Sequence, residues 1–297
     1  MTDANPTVRF VTYNTQYCTG LDGRTDVQRI VDAVHGADVI CLQEIDRFWK
    51  RTGYADQAAA ITESFPDHYW TYGAAMDVDA SYRGDSGRLV NRRRQFGNMV
   101  LARWPLLMVR NHLLPKLHLR TPMSLQRAAL ETVVDLPDGP CRVVSVHLAH
   151  AAASERHLQI ERLLSILHHA PNDGGAWSGR AIPQGWDLDG PPQAQPARTI
   201  VMGDFNIVPE SSEYARICGL VDPAHGSLST VVDFLDLWAV AKNTNDDGAT
   251  HHGQEGSKRL DYAFVTGELA ERLSRIWVEQ SATGSDHKPL WVELSLT

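Results

Sequence analysis

Three things are scarce in this chain: paired cysteines, long apolar runs and positive charge. Cys18, Cys41, Cys141 and Cys218 are the only cysteines in 297 residues, and none stands at Cys-x-x-Cys spacing. Cys41 and Cys141 lie in or beside apolar strand-like runs, so buried, reduced thiols in a cytosolic protein are expected. No apolar run is long enough for a transmembrane segment. The N-terminal residues, Met1-Thr-Asp-Ala-Asn-Pro, have neither a basic start nor an apolar stretch of the secretory kind. A soluble, cytoplasmic protein is the expectation. The formal net charge of −8 gives no global attraction for a polyanion. It does not exclude nucleic acid, but any affinity for phosphate has to come from local clusters or bound metal.

What the chain does have is a normal globular composition, 43% hydrophobic and 22% charged, enough for a substantial core. Val8–Tyr13 reads as a strand delivering Asn14 to a sheet edge. Val27, Ile30, Val31 and Val34 form a helical stripe, with Thr25 as N-cap and Gly36 beyond its end. Val39–Leu42 is a short buried strand followed at once by Gln43 and Glu44. A strand–helix–strand opening of this kind indicates a layered α/β fold. A helix is expected over Asp56–Phe65, a strand from Tyr69, and a long surface loop over Met76–Gln95 carrying Arg88 and Arg92–Arg94.

Further strands are expected from Phe96, over Arg127–Asp135 and over Arg142–His147, the last two joined across Pro137–Pro140. A helix starts at Ser154, and Ser211 or Ser212 caps a short one. Val231–Ala241 reads as helical, and Leu260–Val265 and Leu290–Leu294 as strands. Residues 1–297 are expected to form one domain of two packed sheets with helices outside, carrying a Gly/Pro-rich insertion at about 171–197.

The chemistry-bearing residues recur at one kind of place. Asn14, Glu44, His147, Asp204 with Asn206, Asp261, and Asp286 with His287 each end or closely follow an apolar strand-like run. Individually each has an ordinary explanation: Asp204-x-Asn206 before Pro209 suits an Asx turn, and a lone histidine is usually a satisfied core-edge residue. Together they suggest one sheet rim, where sites in layered α/β folds gather. Glu44, Asp286 and the Asn14 amide oxygen are hard ligands that favour Mg2+ or Mn2+ over zinc. Two histidines supply proton carriers and donors to phosphate oxygens, and a carboxylate such as Asp261 would fix the tautomer of one of them. These are the parts required for in-line attack on phosphorus.

Thr12-Tyr13-Asn14, Leu42-Gln43-Glu44, Gly97–Arg103, Val146-His147-Leu148, Gly203–Asn206, Leu260-Asp261-Tyr262 and Ser285-Asp286-His287 occur in the order seen in the endonuclease/exonuclease/phosphatase superfamily, which the chain resembles from about Val8 onward. The resemblance implies an α/β fold, a four-layer DNase I-like sandwich of two mixed sheets flanked by helices. It implies that Glu44 is the principal metal ligand, helped by Asn14 and Asp286. Asp204 would orient or deprotonate the attacking water, and Asn206 would bind the phosphate or a second metal. His287, oriented by Asp261, would contact the scissile phosphate, His147 would assist the leaving group, and Arg127 would face the phosphate.

The pattern has departures. Gln16 stands where abasic-site endonucleases carry an acid, and His147 where they place a tyrosine, which speaks against that branch. His251-His252, ahead of the Asp261 strand, has two readings, a pair that reaches the site and an exposed loop pair, and the second is the expectation. Three readings stay open: a Mg2+- or Mn2+-dependent phosphodiesterase acting on a small or lipid-derived phosphoester, a DNA or RNA nuclease gripping phosphates with Arg88–Arg94, and a non-catalytic binding member. The last lacks its expected signature, loss of Glu44 or His287. No stable protein partner is implied.

Overall fold

The computed structural model describes residues 6–121, 123–177, 179, 185, 195–219, 221–222, 226–227, 234–241, 248–253 and 256–296. Two six-stranded mixed sheets form its centre. The first holds, in spatial order, Leu273–Val278, Leu290–Ser295, Thr7–Asn14, Val39–Arg47, Arg93–Ala102 and Tyr69–Asp79. The second holds Leu235–Asp236, Asp261–Val265, Thr199–Asp204, Gly139–His147, Ala128–Leu136 and Leu106–Leu113. Each sheet contains one parallel pair, Thr7–Asn14 with Val39–Arg47 and Gly139–His147 with Thr199–Asp204, while its other pairs are antiparallel.

Strand alternation builds the layers, because successive side chains leave opposite faces. Phe10, Val39, Cys41 and Val100 of the first sheet meet Leu130, Val143, Ile200 and Met202 of the second in a central core. The intervening residues turn outward. Val11, Ile40 and Leu101 pack under the helices Val27–Val34 and Gln57–Glu63. On the other side Val144, Val201 and Phe264 pack under Ala153–Asp173 and Ser212–Cys218. The expected four-layer α/β sandwich is what the chain forms.

Several local expectations need correction. Asp26, not Thr25, caps the first helix through Gln28 N, whereas Gly36 adopts a φ of +89° beyond its end as expected. Met76–Gln95 is mostly not a loop: Tyr69–Asp79 and Arg93–Ala102 pair along their length, with a small hairpin between them. Leu106–Leu113 and Leu273–Val278 are edge strands with weak alternation in the sequence. Within Val231–Ala241, among the described residues, Leu235–Asp236 is a strand and only Leu237–Val240 is helical. Pro171–Asp173 continues the preceding helix, and most of the remaining Gly/Pro-rich insertion lies outside the described residues. All four cysteines are buried. No helix among the described residues is long and apolar enough to cross a membrane.

Two glycines allow the strands to approach. A Cβ on Gly203 would lie 1.9 Å from Val146 O, at a φ of +147°, and one on Gly97 would lie 2.0 Å from Gly73 O. Both obstacles are backbone and cannot rotate away. Gly97→Ala and Gly203→Ala are each expected to lower the unfolding free energy by at least about 2 kcal/mol. Urea denaturation should show this as a lower midpoint at unchanged slope.

Candidate active site

Strand register places the polar residues side by side. Asp204 lies opposite His147 on one neighbouring strand and opposite Asp261 on the other. Asn14, at the end of its strand in the first sheet, lies opposite Gln43. Glu44 follows at an irregularity in the pairing between Leu42 and Ile45, with a φ of +61°. Such a bulge re-aims one side chain without ending the strand. Asp286 and His287 arrive from the segment before the last strand, where Ser285 Oγ donates to Asn14 O at 2.7 Å.

These residues border a cavity of about 480 Å³ that includes Asn14, Glu44, Arg127, His147, Asp204, Asn206, Asp286 and His287. A larger cavity of about 570 Å³ lies elsewhere, near Trp277 and Trp291, and includes none of them. Asp261 sits fully buried behind His287. Every residue predicted for the site is therefore in it or directly behind it.

Asp204 is the junction of the two sheets. Its Oδ2 accepts from Asn14 Nδ2 at 2.9 Å and Asn206 Nδ2 at 3.1 Å, and its Oδ1 accepts from Asn206 N at 2.9 Å. His147 Nε2 lies 3.3 Å away and His287 Nε2 3.8 Å. Burial pushes the Asp204 carboxyl up to about 7, against the pull of His287. His287 Nδ1 donates to Asp261 Oδ2 at 2.7 Å. Burial alone would lower the pKa of His287, but Asp261 and Asp204 lift it to about 10.

His147 is the opposite case. Burial, with Arg127 beside it, drives its pKa well below the ordinary histidine value. Arg127 Nη1 donates to its Nδ1 at 3.0 Å, so the neutral ring carries its proton on Nε2, facing Asp204. One histidine is thus held charged by its carboxylate neighbours, and the other neutral by burial with Arg127 beside it.

Glu44 shows where a cation belongs. Its carboxylate accepts no hydrogen bond among the described residues, and it faces His147 Nε2 at 3.7 Å and Arg127 Nη1 at 4.0 Å. Burial raises its pKa, and the charge of Asp286 adds to this. A partly buried carboxylate without donors, close to a second one, suits a hard divalent ion. Asp204, Asp261 and His287 also bring ligand atoms within 4.8 Å of one another. That group already contains its own cation, the proton-bearing His287 ring, which offsets the charge of Asp261.

Four further neighbours complete the site, of which His150 and Arg51 carry no signal in the sequence. His150 Nδ1 accepts from Arg127 Nη2 at 3.3 Å. Gln16 Nε2 donates to Asp286 Oδ2 at 3.0 Å. Arg51 stacks over Tyr17 at 4.1 Å at the cavity wall. His251, expected in an exposed loop, instead packs its ring 4.9 Å from that of His287 and lines the cavity. His252 turns away to Ser257 and Gln280. An alternating His-His hairpin strand is the signal that one of the two points inward.

The charged state of His287 stabilises the fold fully below its ordinary value of 6.5, and that contribution is lost as pH rises through about 10. Asp261→Asn removes the main support of that charge. In the metal-free protein, NMR titration of the His287 ring should show a midpoint at least about one pH unit lower in Asp261→Asn than in the parent.

The model of the Endonuclease/Exonuclease/phosphatase family matches residues 11–287. No curated protein sequence matches the chain. Among solved structures, an endonuclease/exonuclease/phosphatase from Beutenbergia cavernae is 17% identical with a TM-score of 0.65, over 97% of this chain and 71% of that one. The mannosyl-6-phosphatase of Bacteroides thetaiotaomicron is 17% identical with a TM-score of 0.59, over 97% and 99%. D. rerio TDP2, solved with a single-strand DNA product, is 13% identical with a TM-score of 0.59, over 97% and 99%. At these identities the structures establish a shared fold, and the family match covers most of the chain: this protein belongs to the endonuclease/exonuclease/phosphatase family.

Proposed function

We propose that the protein is a divalent-metal-dependent phosphodiesterase that activates water for in-line attack at phosphorus. The observation that carries this reading is the asymmetric pair of histidines on either side of Asp204, one charged and one neutral. The carboxylate between them, pushed up to about 7, suits an acceptor for a water proton near neutral pH. Asn14 and Asn206 fix its orientation. His287, charged and braced by Asp261, donates to a phosphoryl oxygen. His147 presents its Nε2–H as a hydrogen-bond donor on the leaving-group side, with Arg127 holding the tautomer and adding positive charge.

Glu44 and Asp286 would hold the metal, Mg2+ or Mn2+ by the hardness of the ligands, and Asn14 Oδ1 keeps a lone pair for it beyond its bond to Gln16 N. Held by these residues, a divalent ion would supply Lewis-acid stabilisation of phosphoryl charge. The non-catalytic reading is disfavoured because every group this mechanism needs is present and aimed at one cavity. A nuclease reading keeps one specific observation in its favour, the arginines of the Tyr69–Ala102 ribbon.

Hydrolysis of bis(p-nitrophenyl) phosphate should require Mg2+ or Mn2+ and stop on addition of EDTA. Asp204→Ala and His287→Ala should fold, by circular dichroism, yet lose roughly three orders of magnitude in kcat. Full turnover in either variant would refute the assignment.

A further inference from the structure

A second cleft opens beside the active site on the ribbon that the sequence presents as an arginine-rich loop. It is a cavity of about 340 Å³ walled by Phe48, Tyr54, Ala80, Tyr82, Arg92 and Arg94. That volume lies at the lower end for small-molecule sites and suits one compact group. Arg92 and Arg94, two residues apart, project to the same side of the ribbon, while Arg93 turns away to Asp77 at 2.7 Å.

The charges here are uncompensated. Arg47 pairs with Asp56 and Arg51 with Asp46, each at 2.7 Å. Among the described residues, no carboxylate lies within ion-pair distance of Arg92 or Arg94. Two unpaired guanidinium groups on one cleft wall are a notable arrangement in a chain of net charge −8. Each also sits over aromatic rings. Arg92 lies 4.9 Å from the Phe48 ring and 4.8 Å from the Tyr82 ring, and its Nη2 donates to Tyr82 Oη at 3.2 Å. Arg94 lies 5.5 Å from the Trp49 ring and donates from Nε to Phe48 O. A guanidinium held over a ring keeps N–H groups at its edge for an anion. Tyr54 and Tyr82, 49% and 45% exposed, add two aromatic surfaces.

The cleft is joined to the active site by an unbroken arginine–aromatic track. Arg94 and Arg51 flank Trp49 at 5.5 and 5.1 Å, and Arg51 and Arg127 flank Phe96 at 5.3 and 6.0 Å. Left-handed backbone at non-glycine residues marks both ends. Among the described residues it occurs at Gln16, Tyr17, Cys18, Glu44 and Asn206 around the active site, and at Phe48 and Tyr54 in the cleft. Strain of this kind persists where surrounding structure imposes it and collects at binding sites.

We propose that the Phe48/Tyr54/Tyr82/Arg92/Arg94 cleft is a substrate subsite for a planar aromatic group bearing a phosphate, a nucleotide-type moiety linked to the phosphodiester that is cleaved at Asp204. The subsite rests on the phosphodiesterase reading for its role, but its occupancy is measured without turnover. Calorimetric titration of the full-length protein with 5′-AMP, adenosine and inorganic phosphate is the test. AMP is expected to bind more tightly than either part, and R92A/R94A and Tyr82→Ala are each expected to weaken AMP by about tenfold or more.

Absence of AMP binding, equal affinity for AMP and phosphate, or AMP affinity unchanged in both variants would overturn the proposal. Thermal melts identify a variant that has merely unfolded, in which case the other decides. In parallel, the ratio of KM for a dinucleotide to KM for bis(p-nitrophenyl) phosphate should rise about tenfold in R92A/R94A. If the small diester is not hydrolysed by the parent protein, the phosphodiesterase reading fails, while the titration still decides the cleft.

Discussion

A small polar seam between the two sheets sets the position of everything above it. Gln43 Nε2 donates to Ser145 Oγ at 2.9 Å, and Asn98 Nδ2 donates to Ala128 O and Ser145 O at 3.0 Å, all fully or almost fully buried. Hydrophobic packing between sheets has little directional preference and tolerates sliding, whereas buried hydrogen bonds do not. The seam ties Gln43, next to Glu44, and Asn98 of the first sheet to the strands that carry Arg127 and His147. Groups from both sheets can then meet within hydrogen-bonding distance at Asp204.

Above that seam, the site distributes charge by local pairing rather than by an overall field. Asp261 commits its charge to His287, burial together with Arg127 keeps charge off His147, and Asp204 takes hydrogen bonds from two asparagines. Glu44 alone faces the cavity without a donor. The result is a sequence of donor, acceptor, donor across one rim, beside a carboxylate that calls for a cation. A net charge of −8 on the whole chain is compatible with phosphate recognition because the cations that matter are local.

Much of this was legible in the sequence because of where polar residues interrupt apolar runs. Asn14, His147 and Asp204 end strands and Asp261 begins one, and short apolar or alternating runs next to these residues made those strands readable. The helix caps and edge strands were less legible: Thr25 and Asp26 are both good caps, and Leu106–Leu113 and Leu273–Val278 lack clean alternation. The ribbon was misread because its arginines and acids, such as Arg93 and Asp77, pair across strands, and a charge-rich composition looks the same in a loop. His251 and Arg51 were hidden for a different reason. The place of His251 depends on a hairpin folding back, signalled locally only by the alternation of His251 and His252, and that of Arg51 on stacking over Tyr17, which has no local pattern.

The central claim is that Glu44, not the buried Asp204/Asp261/His287 group, receives the divalent ion. Crystals of the protein soaked in Mn2+ and measured for anomalous scattering test this most directly. The account predicts a peak bounded by the Glu44 and Asp286 carboxylates and lost in Glu44→Gln, with the His287–Asp261 hydrogen bond intact. A sole peak enclosed by Asp204, Asp261 and His287, persisting in Glu44→Gln, would contradict it.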